Sequence, residues 1–133
     1  MLKEAEQAII DKIKEITDFR TVKAYEDEFT KEIDRLIIIA PFALVFYLGR
    51  RPEILGNEYR ILFKYRIVIG EKSYNKDNAR IKALELLEKV ESKIKDFAID
   101  NTFEPLRHID EALMYSDDKF SIYYQDYEAF KYN

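Results

Sequence analysis

The sequence predicts an α+β domain: an antiparallel or mixed sheet of four to five strands, packed by an N-terminal helix and one long helix, in the order α-β-α-β-β-α-β-β. Three stretches carry this reading. Tyr59–Gly70 alternates, with Tyr59, Ile61, Phe63, Tyr65, Ile67 and Ile69 on one side and Arg60, Leu62, Lys64, Arg66 and Val68 on the other. Phe42–Leu48 is a continuous apolar run, as expected of a strand covered on both faces. Asp77–Lys95 carries Ala83, Leu87, Val90 and Ile94 at helical spacing, widened by Leu84 and continued by Phe97. The 133 residues form one domain, 1–133, long enough to bury a core.

The elements follow in order. Leu2, Ala5, Ile9, Ile13 and Ile16 recur at three or four residues, with Lys3, Glu4, Lys12, Lys14 and Glu15 between them, which predicts an amphipathic helix. Thr21–Tyr25 reads as a short strand. Tyr25, Phe29, Ile33 and Leu36 predict a second helix over Glu26–Leu36, with Glu26, Asp27 and Glu28 as its acidic first turn. Pro41 cannot donate to a ladder and suits the first position of a strand. Gly49–Glu58, with Arg50, Arg51, Pro52, Gly56 and Asn57, reads as a long loop between the two strands, and such loops often carry binding surfaces. Asn75 or Asp77 can cap the long helix. The tail reads as a hairpin turning at Ser116-Asp117-Asp118, with Phe120, Ile122 and Tyr124 alternating beyond it and a bulge or edge at Asp126.

Composition narrows the function. A net charge of -4 argues against broad nucleic-acid binding, which needs a clustered excess of Lys and Arg. The absence of cysteine excludes disulfides and thiolate metal sites and fits a reducing compartment. The charged start MLKEAEQAII predicts no secretory signal. The uncharged run Leu36–Gly49 is too short for a typical membrane span and is split by Pro41.

Catalytic chemistry finds little support. His108 is the only histidine; Asp110 would share its strand face, but a triad also needs a placed nucleophile. Asp126 and Glu128 share a strand face, yet an oxygen-only cation site needs more ligands at fixed spacing. Glu58, Glu71, Lys64 and Lys72 surround the alternating strand without placing an acidic residue inside it, as a metal-dependent nuclease would require. Gly49, Gly56 and Gly70 build no phosphate-binding loop. No enzyme activity, cofactor or metal is expected.

Interface chemistry is better represented. Arg50, Arg51, Arg60, Lys64 and Arg66 are the one basic concentration, able to face an acidic partner or to meet carboxylates of the chain itself. Tyr123 and Tyr127 belong to a group of tyrosines in the C-terminal hairpin, a residue type at home in interfaces and strands alike. These seven residues are the candidate interface.

The order of elements, V-x-x-Y at Val22–Tyr25, and the run P-F-A-L-V-F-Y-L-G with Pro41, Ala43, Val45 and Gly49 resemble the small tail-terminator proteins of tailed phages, above all the Mu-like prophage tail-completion group. The likeness spans nearly the whole chain; the charged segment Glu26–Arg35 departs from it. The resemblance implies a structural protein that forms a homo-oligomeric ring, commonly a hexamer, at the head-proximal end of the tail tube. Its implied partners are the tail-tube and head-connector proteins, with no membrane and no specific nucleic acid. Its implied location is the bacterial host cytoplasm during assembly and then the virion tail. Gly49–Glu58, Glu71–Lys76 and an exposed edge of the C-terminal hairpin would be contact surfaces, with Arg50 and Arg51 as charged contacts. Without the resemblance, the residues fit equally a cytosolic α+β adaptor or ligand-binding domain.

Overall fold

The computed structural model describes residues 1–28, 36–73 and 76–132. Its elements are α1 (Leu2–Ile13), β1 (Thr21–Ala24), α2 (Leu36–Ile39), β2 (Phe42–Leu55), β3 (Glu58–Lys72), α3 (Lys76–Ile94), β4 (Arg107–Ser116) and β5 (Phe120–Tyr132). The strands form one five-stranded sheet in the order β1-β2-β3-β5-β4. β1 runs parallel to β2, and every other neighbouring pair is antiparallel, so the sheet is mixed. This is the predicted α+β class.

Period-two alternation in β3 sets the layers. Phe63, Tyr65, Ile67 and Ile69 are fully buried against α1 and α3 together with Ala43 and Val45 of β2 and Tyr127 and Ala129 of β5. The helices meet them with Ala5, Ile9, Ile10 and Ile13 from α1 and Leu86, Leu87, Val90 and Ile94 from α3. Leu86 faces this core, whereas Leu84, expected to widen the stripe, is 37% exposed. The opposite sheet face holds a smaller core of Leu36, Ala40, Phe42, Leu44, Val68, Phe120 and Ile122. Each fully buried Val, Leu, Ile or Phe side chain contributes about 1.5–3 kcal/mol. Phe42–Val45 is therefore covered on both faces, as its apolar run predicts, while Leu48 at the other end is 46% exposed.

The expected loop over Gly49–Glu58 does not exist. β2 continues to Leu55 and pairs with β3 down to Leu55 opposite Glu58, leaving a turn at Gly56-Asn57. Gly56 supplies the positive φ of 62° that such a tight turn favours. Gly49 and Pro52, the residues that suggested a loop, are accommodated within the strand. Gly49 sits beside a register shift at φ 135°, where a β-bulge absorbs Leu48. Pro52 lies beyond Val45, the last β2 residue paired with β1, on an open edge that does not need its missing N–H.

Two other expectations change. The helix over Glu26–Leu36 falls largely on residues outside the described set, but Glu26 and Asp27 of its proposed first turn are not helical. Asp27 has φ 65°, and the Glu28 carboxylate accepts a hydrogen bond from the Glu26 amide at 2.6 Å. Among the described residues, α2 runs over Leu36–Ile39. In the C-terminal hairpin, the bulges lie in β4, around Ile109 and Met114, and not at Asp126 of β5. β5 sits inside the sheet between β3 and β4, so β4 is the edge. The turn between them is held by the Asp117 carboxylate, which accepts from the amides of Lys119 (2.7 Å) and Phe120 (2.9 Å). Asn75, one candidate cap for α3, lies outside the described residues; Asp77 is in the first turn of α3.

Gly70 ties the smaller core to the sheet. A Cβ there would lie against the ring of Phe42, which is fully buried, so the ring would have to shift. Gly70→Ala is expected to lower stability by about 1–3 kcal/mol, the cost of overpacking a filled core. Urea unfolding checks this; unchanged stability would mean that the Phe42 ring is free to shift.

Candidate interaction surfaces

The even-numbered side chains of β3 bring Arg60, Lys64 and Arg66 to one sheet face, as their spacing predicts. Their partners come from the neighbouring strands and not from a covering helix. Arg66 makes a bidentate pair with Asp126 of β5, with Nε to Oδ1 at 2.7 Å and an Nη to Oδ2 at 3.0 Å. Its guanidinium lies 4.0 Å from the ring centre of Tyr124. The Asp126 hydrogen bond, partly opposed by desolvation, pushes the Arg66 pKa up. Arg60 pairs with Glu53 of β2 at 3.0 Å and stacks 3.8 Å over Phe130. Arg107 of β4 approaches the same ring at 4.7 Å and reaches Glu128 at 3.5 Å. Asp126 and Glu128, a carboxylate pair considered for a cation, are thus each taken up by an arginine. Lys64 stands between these clusters and makes no ion pair with a described residue.

Arg50 and Arg51 separate. Arg51 lies on the face of Arg60 and meets Glu53 at 3.4 Å, whereas Arg50 lies on the helix-covered face, 5.9 Å from the Phe63 ring centre. Both are exposed. Tyr123 is partly buried against the helix-side core. Tyr127 is only 1% exposed and belongs to that core, which corrects its expected place on a surface. Strand alternation puts it on the helix side, where α3 covers it.

Tyr127 instead belongs to a buried polar set that residue spacing alone missed. Its hydroxyl donates to Gln125 Oε1 at 2.8 Å, and Gln125 Nε2 donates to the Leu87 carbonyl of α3 (2.9 Å) and to Glu111 of β4 (2.7 Å). Gln125 is wholly buried, so these bonds satisfy groups that water cannot reach. His108 stacks on Tyr127 with ring centres 5.0 Å apart and places Nδ1 2.5 Å from Glu91 of α3. Asp110 does not share its face. The bulge at Ile109 turns Asp110 to the opposite side, opposite Asp126, where it accepts from the Tyr124 hydroxyl at 3.3 Å. The set ties the edge strand to the long helix. In the sequence Gln125 lies on the parity opposite Phe120, Ile122 and Tyr124, so alternation gave no signal for it.

Two exposed apolar strips remain. Beyond Tyr132, the last β5 residue paired with β3, the β2–β3 hairpin projects with Ile54 (75% exposed), Leu55 and Tyr59. Along β4, Ile109, Leu113, Met114 and Tyr115 are exposed. A shallow cleft of about 620 Å³ between the end of α1 and α3 is bordered by charges that are already paired, Lys89 with Asp18 at 2.6 Å and Lys93 with Glu15 at 3.3 Å. Among the described residues, no group of three or more His, Asp or Glu side chains is placed to hold a metal ion, and no helix is long and apolar enough to cross a membrane.

Solved structures share this fold. One is a chain in a structure described as the virion of a native gene transfer agent particle, with a TM-score of 0.61 over 96% of this chain and 94% of that one. The two chains are 6% identical, so the likeness is one of fold. No family model and no curated protein matches the sequence.

Burial, with the Glu91 and Glu111 carboxylates nearby, holds the Tyr127 hydroxyl well above the usual phenol range, so it remains a donor. Tyr127→Phe is expected to cost about 1–3 kcal/mol by stranding the buried Gln125 carbonyl. Hydrogen exchange should show faster opening of β4 than of β2. A variant as stable as the parent, with β4 protection intact, would remove the polar set as the anchor of that strand.

Proposed function

We propose that this protein is a non-enzymatic structural subunit of a phage or prophage particle, acting as a tail terminator or head–tail completion protein. In this reading, copies form a ring, commonly a hexamer, at the end of the tail tube, stop its growth and present a surface to the head connector. Assembly takes place in the bacterial cytoplasm and the finished ring resides in the virion tail. The observation that carries the reading is the fold shared with a virion chain over nearly the full length of both. The resemblance of Pro41–Gly49 and the element order to tail terminators points the same way.

The surface is consistent with that role. Arginines on the open sheet face are largely neutralised by the chain's own carboxylates, which fits protein contacts better than nucleic-acid binding. The tip of the β2–β3 hairpin and the edge strand β4 both carry exposed apolar side chains. An adaptor or ligand-binding role would call for a formed pocket, and the cleft beside α3 is shallow and self-paired.

Deletion of the gene from its parent element, followed by electron microscopy, tests the proposal. Tails of abnormal length or lacking heads are expected; tails of normal, fixed length bearing heads would overturn it. Arg50→Glu with Arg51→Glu is expected to impair assembly while the monomer stays folded, and unchanged assembly would remove both residues from the contact.

A further inference from the structure

We infer that the open edge of β2 in one copy docks against β4 of the next, so that a single head-to-tail contact joins neighbouring chains. This rests on the ring reading above and names its interface. β1 covers only Phe42–Val45, which leaves the outer edge of β2 beyond Phe46 without a strand among the described residues. β4 closes the other side of the sheet and is equally uncovered. β2 and β4 run in opposite directions within the sheet, because three antiparallel steps separate them. A second copy placed beside the first in the same orientation therefore sets its β2 antiparallel to β4.

Charge picks the register. The β2 edge presents Arg50 and Arg51, and β4 presents Asp110 and Glu111. Setting Arg51 opposite Asp110 puts Arg50 opposite Glu111. Both pairs then agree in face: Arg51 and Asp110 lie on the open side of their strands, and Arg50 and Glu111 on the helix side. The same register sets the exposed Leu48 against the exposed Leu113. Shifting it by one residue would lose every one of these matches. Pro52 and the two β4 bulges prevent a long regular ladder, so side chains must fix the contact. Because the two surfaces differ, the contact is heterologous, and repetition closes a ring when its rotation divides the circle.

The chain has no cysteine, which makes the test direct. Within one copy, β2 and β4 are three strand spacings apart, about 14 Å, beyond the roughly 7 Å limit for a disulfide. The variant carrying both Arg51→Cys and Asp110→Cys, concentrated and oxidised, and also oxidised inside particles, is expected to form a ladder of covalent multimers. Each single variant should form no disulfide-linked multimer, and a mixture of the two singles should give linked dimers and nothing larger. Circular dichroism confirms folding of each variant, both positions being exposed. A dimer from either single variant would show a two-fold contact between like surfaces and overturn the inference, as would absence of the ladder in both settings. As a check without cysteine, Arg51→Asp and Asp110→Arg should each weaken self-association, and their combination should restore it; no restoration also counts against the contact. If the deletion strain makes normal particles while the purified double variant still gives the ladder, the virion role fails and the contact stands. Particles that need the chain but yield no ladder would keep the virion role and overturn the contact.

Discussion

The structure hangs on β3 being paired along its length. β2 and β5 both run beside it, from Arg60 to Gly70 without interruption on the β5 side, and this fixes which side chains face the helices. Once Phe63, Tyr65, Ile67 and Ile69 point into the helix layer, a slip of one residue would drive arginine and lysine into that core. The alternation thus locks register, and register in turn brings Arg66 to Asp126 and sets Gly70 against Phe42. Burial supplies most of the favourable energy; the ion pairs on the open face add little individually but select one pairing over another.

The two sheet faces therefore do different work. On the helix side, Gln125, the Tyr127 hydroxyl and His108 Nδ1 join β5 and β4 to α3, holding an edge strand that is otherwise largely exposed. On the open side, arginines lie flat over Phe130 and Tyr124 with carboxylates at their ends. Such stacking rigidifies long side chains and, with the carboxylates, pairs the charge of Arg60 and Arg66. What remains available for association is the rim: the projecting β2–β3 hairpin and the outer side of β4.

The architecture was legible because its signals are periodic and local. The alternation of Tyr59–Gly70 and the stripe of α3 survive in the fold with small shifts of boundary, and the apolar run from Phe42 begins β2, which runs seven residues further than expected. Failures came where a special backbone residue admits two readings. Gly49 and Pro52 are loop formers by propensity, yet a bulge and an edge position absorb them into β2. The bulge at Ile109 reverses the faces of His108 and Asp110, so counting by twos paired the wrong residues. Tyr127 was assigned by residue type, and only the placement of α3 shows that it is buried. Contacts such as His108 with Glu91 and Gln125 with the Leu87 carbonyl join positions far apart in the chain and have no sequence periodicity to reveal them.

Among the described residues, polar side chains tie strands to one another and to α3, and exposed apolar side chains lie at the tip of the β2–β3 hairpin and along β4. The most direct measurement is a cryo-electron microscopy map of purified particles from the parent element, with the protein content checked by mass spectrometry. The expected result is a ring of density at the head-proximal end of the tail into which this five-stranded sheet, with α1 and α3 packed on it, fits. Particles complete in head and tail that contain no copy of the chain would contradict the assignment.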